Sequence, residues 1–119
     1  MPVSDGAGEV VEVGAKVWQF KKGDRVSTMV LQRCLYGPLT PDTWPGIGGN
    51  LDGALRQYAV FPATGLVRSP RNLTDLEAAA LPGAAITAWN CLYGLKQVKP
   101  GEVVLTQGTG GVSMFGLQV

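Results

Sequence analysis

Near its end the chain reads Val103-Val104-Leu105-Thr106-Gln107-Gly108-Thr109-Gly110-Gly111-Val112-Ser113, and no other stretch constrains the fold as strongly. A short apolar run leads into a glycine-rich turn, and a helix-compatible stretch from Val112 to Val119 follows. The apolar run reads as a buried strand. Glycines let the backbone come close to a ligand, and a helix start offers free amides and its dipole to negative charge. The spacing Gly108-x-Gly110-x-x-Ser113 is that of a strand–turn–helix unit that cradles a pyrophosphate, with Ser113 where a third glycine usually stands.

The first half of the chain has a different character. Glu9-Val10-Val11-Glu12-Val13 lies between Gly8 and Gly14 and predicts a short strand. Lys21-Lys22-Gly23-Asp24 predicts a turn, Arg25 to Val30 a second strand, and Ala54 to Phe61 a third that ends at Pro62. Between them, Tyr36 to Gly53 is rich in Gly and Pro and reads as a long loop. Short β-branched runs bounded by glycines fit a small barrel or sandwich.

Helical signals begin at Thr74. Thr74-Asp75-Leu76-Glu77 is a capping box, opening a short helix from Asp75 to Ala80 that breaks before Pro82. Gly83 to Leu95 predicts a longer helix whose Ile86, Trp89, Leu92 and Tyr93 share an apolar face, expected to pack in a core. Lys99-Pro100-Gly101-Glu102 predicts a turn before the glycine-motif strand.

Composition closes several routes. At 119 residues the chain is long enough for one ordinary domain with a core. Its 10 basic and 9 acidic residues are scattered, with no stripe to grip nucleic acid. No apolar run approaches the roughly 18–20 residues of a membrane helix, and Met1-Pro2-Val3-Ser4-Asp5-Gly6 has no secretory character. The expected compartment is therefore cytoplasmic, with Cys34 and Cys91 as free thiols. Asn72-Leu73-Thr74 matches a glycosylation sequon but reads as a loop before a helix. There is no histidine, so the commonest general base and the commonest zinc ligand are both missing.

Five segments in order resemble the medium-chain dehydrogenase/reductase superfamily. They are Ser4-Asp5-Gly6-Ala7-Gly8-Glu9-Val10, then Lys22-Gly23-Asp24-Arg25-Val26, then Gly48-Gly49-Asn50-Leu51-Asp52-Gly53-Ala54. Glu77-Ala78-Ala79-Ala80-Leu81-Pro82 running into Thr87-Ala88-Trp89 is the fourth, and Gly108-Thr109-Gly110-Gly111-Val112-Ser113 the fifth. Within the superfamily the chain is similar to zinc-free, quinone-oxidoreductase-like and fungal alcohol-dehydrogenase-like members. The resemblance implies an α+β part leading into an α/β part. Residues 1–82 would be a partial GroES-like β-barrel catalytic domain. Residues 83–119 would hold the opening strand and helix of a Rossmann nucleotide-binding domain. Against that architecture the chain reads as a middle fragment or a truncated product, inactive or nearly so alone.

The resemblance also implies a chemistry: hydride transfer between NAD(P)H and a small carbonyl, enone or quinone, with the cofactor carrying the reaction. Gly108, Thr109, Gly110, Gly111, Val112 and Ser113 would face the pyrophosphate, and Thr87 would lie beside the nicotinamide. Thr87 also reads as a helix threonine bonding back one turn. The residue that selects NADH or NADPH stands about 20 positions past the glycine turn, beyond Val119. Zinc-dependent members carry ligands where Ser4 and Gly83 stand here, so no zinc is expected. Asp5 and Asp24 read as turn residues binding backbone amides. Tyr36 and Tyr58 are candidate proton donors but read more simply as packing residues. Arg56 and Arg68 could pair with a phosphate, although no spacing supports it. The alternative is a non-catalytic GroES-like module that associates with other subunits. In either case Val103 to Thr106 is an apolar strand through which chains could self-associate.

Overall fold

Val26, Ser27 and Thr28 are all buried, and this segment organises the N-terminal part of the protein. In the computed structural model, which describes residues 1–119, three strands form one antiparallel sheet: β1 (Ala7–Glu9), β2 (Arg25–Thr28) and β3 (Leu66–Arg68), in the order β1-β2-β3. Gly8 lies opposite Val26 on one side and Arg68 opposite it on the other. Thr28 Oγ1 accepts the Gly6 N–H at 2.9 Å and donates to the Ser4 carbonyl at 2.9 Å, so it pins the approach to β1. Gly23, at φ +87°, makes the turn before β2.

Two strand expectations are corrected. β1 covers Ala7–Glu9 rather than Glu9 to Val13. Val10 keeps two ladder bonds, to the Asp24 carbonyl and from the Gly23 N–H, after which β2 offers no further backbone to pair with. Ala54 to Phe61 is not a strand. β1 and β3 already occupy both edges of β2, and Tyr58 and Val60 are exposed. The third strand is Leu66–Arg68, only three residues long.

The chain divides into two compact units, Met1–Pro82 and Gly83–Val119. In the first, helix α1 (Asp75–Ala79) packs on the sheet. Both halves of the capping box form: the Glu77 N–H donates to Thr74 Oγ1 at 3.3 Å, and the Thr74 N–H donates to Glu77 Oε2 at 2.8 Å. Ala78 is fully buried, Ser27 donates to its carbonyl, and Arg25 pairs with Asp75. The loop from Tyr36 to Gly53 is held by bridges Leu31–Gly46 and Ile47–Leu51, with Ile47 buried. Met1–Ser4 lies along its end: the Gly53, Ala54 and Leu55 N–H groups donate to the carbonyls of Met1, Val3 and Pro2.

Asp24 ties the sheet to the turn before it. Its buried carboxylate accepts from Lys21 Nζ at 2.6 Å, from the Lys21 N–H at 3.0 Å and from Arg68 Nη1 at 2.9 Å. These partners hold its pKa down to about 2 from an ordinary 3.8, the Lys21 side-chain bond first, then the Lys21 amide and the Arg68 charge. A depressed folded pKa contributes stability above the unfolded value and loses it as pH falls through the folded one. Melting temperature should therefore drop as pH falls from 3.8 towards about 2, and Asp24→Asn should flatten that part of the profile. Calorimetry across this window checks it. An Asn variant as acid-sensitive as the parent would refute it.

In the second unit, Leu81–Ala85 form a π-type turn at the boundary, and helix α2 runs over Ile86–Tyr93. The expected helix from Gly83 to Leu95 is thus shorter. Pro82 lacks an N–H and disturbs regular bonding around it. The packing expectation is also corrected. Ala88 is buried and Leu92 and Tyr93 are half-buried, whereas Ile86 and Trp89 are exposed, the Trp89 ring centroid lying 4.8 Å from that of Tyr93 with the rings tilted by 48°. Helix α3 covers Gly111–Gln118 and packs on α2. Val103 to Thr106 forms no strand, because no backbone hydrogen bond joins it to another segment. No helix is long and apolar enough to cross a membrane.

The core is smaller than expected from the chain length. Only Val26, Ile47, Ala78 and Ala88 are buried apolar residues.

Candidate functional site

Glycine content shapes the segment Gln107 to Ser113. Gly108 sits at φ +73°, where a Cβ is strained, and Gly110 is extended and starts α3. No side chain caps α3 and its first turn carries no acid. The N–H groups of Gly111, Val112 and Ser113 therefore have no partner within the helix. A Cβ on Gly108 or Gly110 would meet nothing within 4 Å, so open space lies over the turn. Gly111 differs, since a Cβ there would come within 2.8 Å of Ala84 Cβ. This glycine allows α3 to start tightly against the turn that leads into α2.

No charged side chain occurs from Val103 to Val119. Free amides and the dipole of an eight-residue helix are thus the only local attraction for an anion. Room above the glycines, uncapped amides and no competing acid fit a pyrophosphate, so these residues fit NAD(P) as a bound group.

Thr87 is exposed on α2, and its Oγ1 donates to the Gly83 carbonyl at 2.8 Å. With its proton engaged, the hydroxyl can only accept from a ligand. Thr109 and Val112 are exposed on the turn and the first turn of α3. Ser113 Oγ donates to the Gln107 carbonyl at 2.8 Å, a contact the motif alone did not announce.

Other candidates are committed or peripheral. Arg68 pairs with Asp24 and lies over the Phe20 ring at 5.4 Å, while Arg56 donates to the Gly53 carbonyl and pairs with Asp52. Neither guanidinium is free for a phosphate. Asp52 is held below its usual pKa by the Met1 ammonium and then by Arg56. Tyr36 and Tyr58 are 90% and 75% exposed, which corrects their reading as packing residues. Ser4 Oγ donates to the neighbouring Asp5 carboxylate. The Ser4 and Gly83 positions do not fit zinc: a neutral hydroxyl is a poor ligand, and glycine has no side chain to offer.

Residues 1–71 match the alcohol dehydrogenase GroES-like domain. Over 99% of its length the chain is 50% identical to a zinc-type alcohol dehydrogenase-like protein of Schizosaccharomyces pombe. It is 34% identical, over its full length, to a chloroplast envelope quinone oxidoreductase homolog of Arabidopsis thaliana. It spans about a third of these relatives, 35% and 33%. A crystal structure of a Sinorhizobium meliloti protein assigned as an alcohol dehydrogenase superposes with a TM-score of 0.90. The sequences are 40% identical, and the match covers 98% of this chain and 36% of that one. The order of motifs, the GroES-like match and the similarity to both alcohol dehydrogenase-like and quinone oxidoreductase-like proteins lead to one assignment: the chain belongs to the medium-chain dehydrogenase/reductase superfamily.

Proposed function

We propose that this chain carries the pyrophosphate-binding turn of a zinc-independent, NAD(P)H-dependent oxidoreductase acting on a small carbonyl, enone or quinone. The uncapped start of α3 beneath an open glycine turn carries this reading. Val103 to Val119 would then be the opening strand and helix of a Rossmann domain, pairing once neighbouring strands are supplied. When bound, the nicotinamide supplies or takes the hydride. The chain's own residues bind and orient. Gly111, Val112 and Ser113 would donate backbone N–H bonds to phosphate oxygens, and Gly108, Thr109 and Gly110 would let it approach. Thr87 Oγ1 would accept from a carboxamide N–H, since its own proton serves Gly83. Two free thiols, Cys34 and Cys91, are in keeping with a cytoplasmic setting.

The test is an NMR titration of the isotope-labelled chain with NADPH. Gly110 to Ser113 amides should shift, with an affinity on the order of millimolar, because backbone contacts to one pyrophosphate leave little surplus over ordering costs. No response at those amides would overturn the reading. Metal analysis should find far less than one zinc per chain, and a stoichiometric, chelator-sensitive zinc would remove the zinc-independent part.

One observation favours a second reading, a non-catalytic module that associates with other subunits. Val103 and Leu105 are 95% and 84% exposed beside unpaired backbone. Concentration-dependent assembly in sedimentation, without any NADPH response, would select it.

A further inference from the structure

Ser113 stands where the third glycine of a pyrophosphate-binding turn ordinarily permits close packing of helix and strand. Here a different residue makes a close approach to a neighbouring element. It is Gly111 whose added Cβ would collide with Ala84. Position 113 can therefore carry a side chain, and that side chain turns back six residues to donate to the Gln107 carbonyl at 2.8 Å.

Little else holds this turn. Three of the four residues Gly108 to Gly111 are glycines, the residue type that loses most freedom on ordering. The remaining one, Thr109, makes no hydrogen bond, and Gly108 and Gly110 have no neighbour within reach of a Cβ. The next backbone bond, from the Met114 N–H to the Gly110 carbonyl at 3.0 Å, belongs to the helix start and does not reach Gln107. The Ser113 hydroxyl thus makes the one hydrogen bond that closes the loop from the end of the apolar run to the head of α3. It also leaves the Ser113 N–H free for a ligand.

We infer that Ser113 is a positioning residue: its hydroxyl holds Gln107 against the start of α3, so that the amides of Gly111, Val112 and Ser113 are arranged before a dinucleotide arrives. This rests on the dinucleotide reading proposed above. The ordering cost is met in the free protein, and affinity gains accordingly.

The experiment compares the chain with Ser113→Ala and Ser113→Thr, each titrated with NADPH by NMR, with amide exchange measured without ligand. Losing one neutral hydrogen bond should weaken binding about three- to tenfold. Ser113→Ala should also speed exchange at Met114, whose N–H donates to the Gly110 carbonyl at the head of α3, while leaving Ala88 to Leu92 of α2 unchanged. Ser113→Thr, which keeps the hydroxyl, should restore both. Equal affinity for parent and Ala variant would overturn the inference. So would weakened binding with lost protection in α2, because Ser113 would then act through folding alone. If the parent chain gives no NADPH response, the dinucleotide reading fails and the positioning role fails with it. A change in exchange alone would then mark Ser113 as a brace without a ligand.

Discussion

Alanine at position 53 should detach Met1–Ser4 from the loop it lies along. An added Cβ would run into the carbonyl oxygens of Pro2 and Val3. Both obstacles are backbone, so no rotamer change relieves them. The accessible escape is for the segment to lift away, breaking the bonds that Gly53, Ala54 and Leu55 donate to Met1, Val3 and Pro2. Losing two or three such bonds costs about 2–4 kcal/mol. The bond from Thr28 to the Ser4 carbonyl would loosen with them, and so would the entry to β1. Chemical denaturation of Gly53→Ala should show this loss, and exchange at Ala54 should accelerate. A variant with the parent's midpoint and a protected Ala54 amide would show that the segment can shift sideways without letting go.

Leucine at position 111 should disable the second unit. Even a Cβ would come within 2.8 Å of Ala84 Cβ, and a full leucine side chain must push α3 off the turn that precedes α2. Overpacking of this kind costs about 1–3 kcal/mol, and this unit has only Ala88 as a buried apolar residue to resist it. Gly111→Leu should therefore remove the NADPH response altogether and lower the helical circular dichroism signal. The first unit should keep its exchange protection. Gly111→Ala should fall between, since a single methyl against Ala84 demands a smaller shift than a whole leucine side chain. A leucine variant that still responds to NADPH like the parent would refute the steric role of Gly111.

Legibility in the sequence followed the range of the forces involved. The capping box at Thr74 and Glu77 was readable because both partners lie within one helical turn. So was the turn at Gly23, where the backbone needs positive φ. β2 was readable because a β-branched run follows directly on its flanking turn. Ala54 to Phe61 ends at a proline as a strand would, but a strand exists only where another backbone is available. That fact belongs to the pairing of β1 and β3 with β2. β3 escaped notice because three residues carry almost no periodic signal. Ile86 and Trp89 mark a helix by their spacing, yet spacing does not say whether anything covers the face. At the candidate site, residue types gave the conformation of the glycine turn and the bond from Thr87 back to the Gly83 carbonyl. The division of tasks between Gly111 and Ser113 depends on Ala84 and Gln107, and no local pattern names them.

The uncharged run from Val103 to Val119 has a consequence for acidity in the medium. A grip made of peptide N–H groups and a helix dipole has nothing to titrate, unlike one built on histidine or lysine. The whole chain lacks histidine, the one side chain whose ordinary pKa falls between about 5 and 8. On the dinucleotide reading proposed above, the hold on a pyrophosphate should stay constant across the neutral range while the charge of any bound substrate varies. Any pH dependence near neutrality would then report on the substrate or on residues outside the turn.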